Sequence, residues 1–213
     1  MKKKKIAASA AAGTLAILAI CGIFAAKTVF AAEERISITE SDKGTAIQSN
    51  TDNEALKVYK KEIYNDEGCT VLLPEGYVSS ESIKGLYISE RRPVDSSNIY
   101  YSVSEGTDVE ALRESLNSGD NKSELGKKFK EAYGANAVIR SYQTEELKVN
   151  GCPAFKIKLS CELDDMTMEQ LIYIIAADQT YTITYSQAAD DGRMEEFEKS
   201  AQTIRMVFQE DNQ

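Results

Sequence analysis

Four acidic residues, Glu162, Asp164, Asp165 and Glu169, fall within eight positions between two strand-like runs. Carboxylate oxygens gathered at a hairpin tip are the hard donors that Ca²⁺ takes, so these four are the chain's candidate metal ligands. The same residues suit a solvated turn, where Asp bonds its local backbone, and their spacing matches no EF-hand loop. Ser79, Ser80 and Lys84 supply the residue types of a Ser-Lys nucleophile. The chain has no histidine, which excludes Ser-His-Asp and Cys-His catalysis and the usual zinc sites. Neither GxxxxGK[ST] nor GxGxxG occurs. Acid–base work near neutral pH would need a carboxylate or lysine shifted far by burial. The acids cluster in turns, where water keeps such shifts small. The expectation is no catalytic residue, no cofactor, and no metal ligand beyond the four acids.

Three cysteines lie beyond the first 31 residues: Cys69, Cys152 and Cys161. An odd number allows at most one intrachain disulfide. Cys152 and Cys161 are nine apart on one expected strand, hence on opposite faces and unable to bond each other there. A Cys69–Cys152 or a Cys69–Cys161 bridge stays open. Otherwise Cys69 and Cys161 act as small buried hydrophobes.

The elements that position these residues centre on 147–208. Asn150-Gly151 suits a two-residue hairpin turn of type I′. Phe155, Ile157, Leu159 and Cys161 then alternate with Lys156, Lys158 and Ser160, the period of a half-buried strand. Asp164-Asp165 marks a turn. Leu171 to Ile175 is apolar on both faces and predicts a strand covered on both sides. After a turn at Asp178-Gln179, Tyr181, Ile183 and Tyr185 alternate with threonines. Met194, Phe197, Ala201, Ile204 and Phe208 recur at helical spacing, with Asp190 or Asp191 as the expected cap.

Upstream, Cys69 to Leu73, Ser82 to Arg91 and Ile99 to Val103 read as three strands. Thr107 to Glu110 has capping-box spacing and opens a helix through Leu116. Ser118 to Asn121 breaks it. Ser123 would cap a second helix with Leu125, Phe129 and Tyr133 as its stripe and Gly134 as its stop. Ala137 to Val149 is a further strand. The expected class is α+β: an antiparallel sheet of about six or seven strands with helices on both faces.

The 213-residue chain suits one domain of about 150 residues and a leader. Lys2 to Lys5 precede an uncharged run from Ile6 to Ala26, then Val29-Phe30-Ala31, the pattern of a secretory leader cleaved near Ala32 or Glu33. An uncleaved anchor is the alternative, since the run is long enough to span a bilayer. Cys21 follows Ile20, bulky where lipoprotein processing takes a small residue. The domain plan is 1–31 leader or anchor, 32–59 flexible polar tether, 60–209 folded domain and 210–213 tail. Cleavage leaves 20 Lys and Arg against 34 Asp and Glu, a net −14 that repels nucleic acid and anionic lipid. A tether of 28 residues reaches roughly 30 Å by the square-root rule.

Three segments resemble the PsbP-like family. Gly68 to Tyr77 (GCTVLLPEGY) is similar to its opening strand, proline and following aromatic. Val149 to Ala154 (VNGCPA) is similar to its hairpin before a small residue. Asp178 to Tyr185 (DQTYTITY), with Phe197 and Ile204 to Phe208, is similar to its closing hairpin and helix. The likeness covers about 60–209. It implies an antiparallel sheet sandwiched between helices and says little about activity, because relatives range from a photosystem subunit to a Ran-binding import factor and exported bacterial proteins. Any relative's role that rests on histidine does not transfer.

The function expected is that of a non-catalytic exported module, secreted or held at the cell envelope, binding an extracytoplasmic protein partner. It has no nucleic-acid role and meets the membrane only through an uncleaved leader. The alternatives are a Ca²⁺-binding structural protein, or an enzyme using carboxylates or Ser-Lys. With the apolar residues spent on pairing sheet to helices, no large ligand cavity is expected. A deep cleft in which two or more of Glu, Asp, Lys and Ser converge would tell against the non-enzyme reading.

Overall fold

The computed structural model describes residues 68–106, 108–163 and 166–206. The expected leader, tether and tail, the Asp164-Asp165 turn, Thr107 and Phe208 lie outside them.

Nine strands and three helices are described: β1 (Cys69–Thr70), β2 (Tyr77–Ser79), β3 (Leu86–Ser89), β4 (Asn98–Glu105), α1 (Val109–Asn117), α2 (Gly119–Tyr133), β5 (Val138–Val149), β6 (Cys152–Leu163), β7 (Met166–Ala176), β8 (Gln179–Ala188), α3 (Met194–Ala201) and β9 (Arg205–Met206). Seven strands form one sheet in the order β2-β3-β4-β8-β7-β6-β5, and every neighbouring pair in it is antiparallel. β1 and β9 form a separate antiparallel ribbon, Cys69 opposite Met206 and Thr70 opposite Arg205.

The β5–β8 meander follows the expected pattern. Asn150 and Gly151 have φ of 48° and 86°, as a primed turn demands. Leu171 to Ala176 are all buried, and so is every residue of β8 after Gln179. These strands are covered on both faces. On one face α3 brings Phe197 and Ala201 onto Tyr173, Tyr181, Ile183 and Tyr185. On the other, α1 sets Leu112 and Leu116 on Phe155, Ile157, Ile172 and Ile174. There α2 sets Leu125 and Phe129 on Cys161, Leu163 and Met168. The α+β sandwich is thus as expected.

Several boundaries differ. The first strand is short and leaves the main sheet: Pro74 brings no N–H, and Gly76 turns at φ +82° before Tyr77 joins β3. Tyr77–Ser79 is a strand that sequence reasoning did not mark, while the strand read over 82–91 is confined to Leu86–Ser89. Only Ser118, in extended backbone, separates α1 from α2, so Ser123 lies inside α2 and does not cap it. At α1 the cap is Asp108, whose side chain accepts from the N–H groups of Glu110 and Ala111.

Neither Asp190 nor Asp191 caps α3. Its first flanking residue is Arg193, which makes no side-chain cap bond. Gly192, at φ +69°, turns the chain after Asp191. The Asp191 carboxylate instead accepts from Ser96 Oγ at 2.6 Å and Ala188 N at 3.0 Å. The helix also stops at Ala201 and does not run to Phe208. Thr203 Oγ1 donates to the Ser200 carbonyl at 2.6 Å and accepts Leu72 N at 2.8 Å, and the chain then leaves as β9. Ile204 stays buried on the expected side, but from a turn.

Candidate functional site

The acidic tip does not assemble over its described half. Glu162 is drawn to Arg140 on β5, whose hydrogen bond lowers its pKa. Glu169, facing Ser160 two rungs away, accepts from Gln187 Nε2 at 2.7 Å toward β8. The two carboxylates therefore lean to opposite neighbouring strands. Asp164 and Asp165 lie outside the described residues. Among the described residues no three Asp, Glu or Cys form a group able to hold a metal.

Nor does the structure join Ser79, Ser80 and Lys84. Ser80 Oγ accepts from Ser82 N at 3.3 Å in the β2–β3 turn, while Ser79 and Lys84 are exposed. Among the described residues no hydrogen bond links this lysine to either serine.

The structure instead opens a cleft of about 800 Å³ between residues 72–76, the Glu90-Arg91 corner after β3, and the outer side of α3. This corrects the expectation of no large cavity. The space lies outside the sheet–helix core, where the β1–β2 loop passes over the helix. Glu75, Glu90, Glu196, Lys199 and Ser200 all line it. By the standard set from the sequence, this gathering counts against the non-enzyme reading, and the bonds of these groups decide its weight.

Ser200 Oγ donates to the Leu72 carbonyl at 2.5 Å and lies 3.1 Å from Tyr185 Oη. Lys199 pairs with Glu195 one turn back at 2.6 Å. The serine and lysine are thus each given to another partner. Ser200 on α3 and Thr203 just past its end together clamp both backbone groups of Leu72 across more than 120 residues of sequence. That clamp fixes one wall of the cleft.

Beneath the wall runs a buried polar chain. Tyr77 Oη meets Ser97 Oγ at 2.5 Å, and Ser97 Oγ donates to Asp95 Oδ1. Ser97 N also donates to Asp95 Oδ1, at 3.0 Å. Arg193 Nε donates to Asp95 Oδ2 at 2.9 Å, and its Nη1 reaches both oxygens of Glu196 at 2.9 Å. Burial alone would raise the Asp95 pKa, but the bonds from Ser97, Arg193 and Ser89 outweigh it and hold the carboxyl below its usual range. Burial pushes the Tyr77 phenol up, so it remains protonated. Arg193 is therefore pinned from both sides and presents a fixed edge to the cleft.

Sequence reasoning singled out neither Asp95 and Ser97 nor Arg193. The usable signal was Asp-Ser-Ser at 95–97, a run that bonds local backbone, together with a lone arginine among the acids at the start of α3. Cys161 is fully buried on the expected face, its thiol pushed up to about 12 by burial. Cys69 is also fully buried and Cys152 partly so, both as thiols.

No protein-family model matches the chain, and no curated protein matches it significantly. Solved structures do. Cyanobacterial PsbP (CyanoP) from Synechocystis sp. PCC 6803 aligns with a TM-score of 0.53 at 14% identity, over 74% of this chain and 98% of that one. LpqN of Mycobacterium tuberculosis, described as involved in cell envelope biogenesis, aligns with a TM-score of 0.41 at 9% identity, over 66% and 83%. The first match spans nearly the whole of a PsbP domain and shares its sheet sandwiched between helices, and on that ground the described domain has the PsbP-like fold.

Proposed function

We propose that this protein works outside the cytoplasm as a non-catalytic accessory module, carried on its N-terminal segment and offering the cleft beside α3 to a protein partner. The observation that carries the reading is the commitment of the cleft's reactive groups. The Ser200 hydroxyl serves Leu72, Lys199 serves Glu195, and Glu196 serves Arg193. A nucleophile needs a base within hydrogen-bond reach, and a general acid or base must lie within reach of the proton it transfers. What stays open toward solvent is a rim of Glu75, Glu90, Arg91 and Gln202 around the backbone of Leu72 and Leu73. Mixed charge around a partly apolar floor is the make-up of a polar, reversible protein contact. The lysine run and uncharged stretch at the N-terminus support export, and the acidic remainder of the chain disfavours nucleic acid and anionic lipid as partners.

Photo-cross-linking in intact cells tests this. A photoreactive residue at Glu90 or Gln202, on the rim, should give the same discrete adduct, and one at the exposed Lys127 on α2 should not. Absence of rim adducts, or equal capture from all three positions, would remove the cleft as the docking site.

A further inference from the structure

The sequence leaves two disulfide partners open for Cys69, and the fold separates them. Cys161 belongs to the apolar cluster under α2, on the opposite side of the sheet from Cys69. Cys152 packs against the very cluster that buries Cys69. Met206 connects the two. It stands directly opposite Cys69 in the β1–β9 ribbon, and its N–H donates to Asn150 Oδ1 at 3.0 Å. Asn150 opens the turn that is closed by the rung between Val149 and Cys152. The ribbon therefore lies across the end of the β5–β6 hairpin, with one cysteine on each piece. Nothing else ties β1 to β6 covalently, and the two cysteines stand 83 positions apart in the sequence.

We propose that Cys69 and Cys152 form an intrachain disulfide that staples the β1–β9 ribbon to the β5–β6 hairpin, while Cys161 stays a thiol. The partly exposed Cys152 is the first to react. Its thiolate attacks one sulfur of an exchangeable disulfide, such as that of a thiol oxidase or glutathione disulfide, forming a mixed disulfide and releasing one thiol. The Cys69 thiolate then attacks the Cys152 sulfur, closing the bridge and releasing the second thiol. Two protein thiols are oxidised and one external disulfide is reduced. A Cys152 thiolate adds its charge to burial in raising the Cys69 pKa to about 12. Closure is therefore slow in the docked ribbon and fastest as the ribbon settles during folding. The staple lies three positions before Leu72 and fixes the root of the cleft wall. It does not depend on what the cleft binds.

The purified full chain is reduced, unfolded, refolded with glutathione disulfide, quenched with acid, alkylated and mapped by peptide mass spectrometry. The expected product links the Cys69 and Cys152 peptides and leaves Cys161 alkylated. Its melting temperature should exceed that of the reduced form by on the order of 5 °C, because a long loop is closed. In Cys152→Ser, circular dichroism should match the wild type, and the redox-dependent rise in melting temperature should vanish. A glutathione adduct that persists on Cys152, or a link from Cys69 to Cys161, would overturn the proposal. So would a Cys69–Cys152 bridge that lowers the melting temperature, since the native fold would then oppose it.

Discussion

Asp95 and Arg193 meet across 98 positions of sequence, Nε to Oδ2 at 2.9 Å, with the aspartate side chain only 4% exposed and the arginine 15%. The pair ties the β3–β4 loop to the residue that leads into α3. Removing one member of a buried pair strands the other charge, which costs about 3–5 kcal/mol, whereas replacing both by apolar groups is far milder. Arg193→Met should therefore lower stability by about 3 kcal/mol, and Asp95→Leu with Arg193→Met by clearly less than the single change. Urea titration of the three proteins checks the order. A double variant worse than the single one would mean that the pair itself, and not the stranded charge, sets the cost.

The same carboxyl sets an acid limit. The folded-state pKa of Asp95 is lowered from its ordinary 3.8, so the unfolded chain binds this proton more readily than the folded one. The stability it contributes is present above the unfolded value and is lost as pH falls below about 4 through the folded value. The Asp95→Asn protein should show a smaller fall in denaturation midpoint between pH 5 and pH 3 than the wild type. Equal slopes in that window would place the acid sensitivity elsewhere.

Phe197 is fully buried, with its ring 5.1 Å from that of Tyr185 and 5.9 Å from that of Tyr77. Phe197→Ala should cost about 3–5 kcal/mol, the usual range for a buried phenylalanine. A loss under about 1 kcal/mol in denaturant would show that α3 does not rely on this contact.

Cys161 should resist thiol reagents. It is 0% exposed, and with its pKa raised to about 12 only about one molecule in ten thousand carries the thiolate at pH 8. Under native reducing conditions its alkylation should lag the unfolded control by orders of magnitude, while partly exposed Cys152 reacts well ahead of it. Comparable rates at Cys152 and Cys161 would place Cys161 on the wrong face.

Asn150 does two things at once: it holds φ +48° in the hairpin turn and accepts Met206 N at 3.0 Å. Asn150→Gly keeps the backbone and loses the bond, so it should cost about 1 kcal/mol. Asn150→Ala loses both and should cost about 2 kcal/mol. Equal costs, read from urea midpoints, would leave only one of the two roles.

The meander was legible because its signals are local and repeated. Phe155 to Cys161 alternate strictly, and Asn150-Gly151 admits few turns other than the one it makes. The end of α3 was not legible because Ile204 keeps the helical interval from Ala201 while leaving the helix. Its burial is set by the β1–β9 ribbon, whose two halves are far apart in sequence. The cleft escaped for the same reason. Leu72, Glu90 and Ser200 share no local pattern, and the bonds from Ser200 and Thr203 to the backbone of Leu72 hold the loop over the helix end. Arg193 looked like any charged residue at a helix start until the fold placed Asp95 behind it.

The β1–β9 ribbon also decides how the domain hangs. Because Cys69 faces Met206, the chain comes in and goes out at one corner. A pull on the chain at one end of the described domain is thus felt beside the other end. Tension between residues 68 and 206 would fall first on the two rungs of the ribbon and on the Met206 bond to Asn150, which passes load to the end of the β5–β6 hairpin.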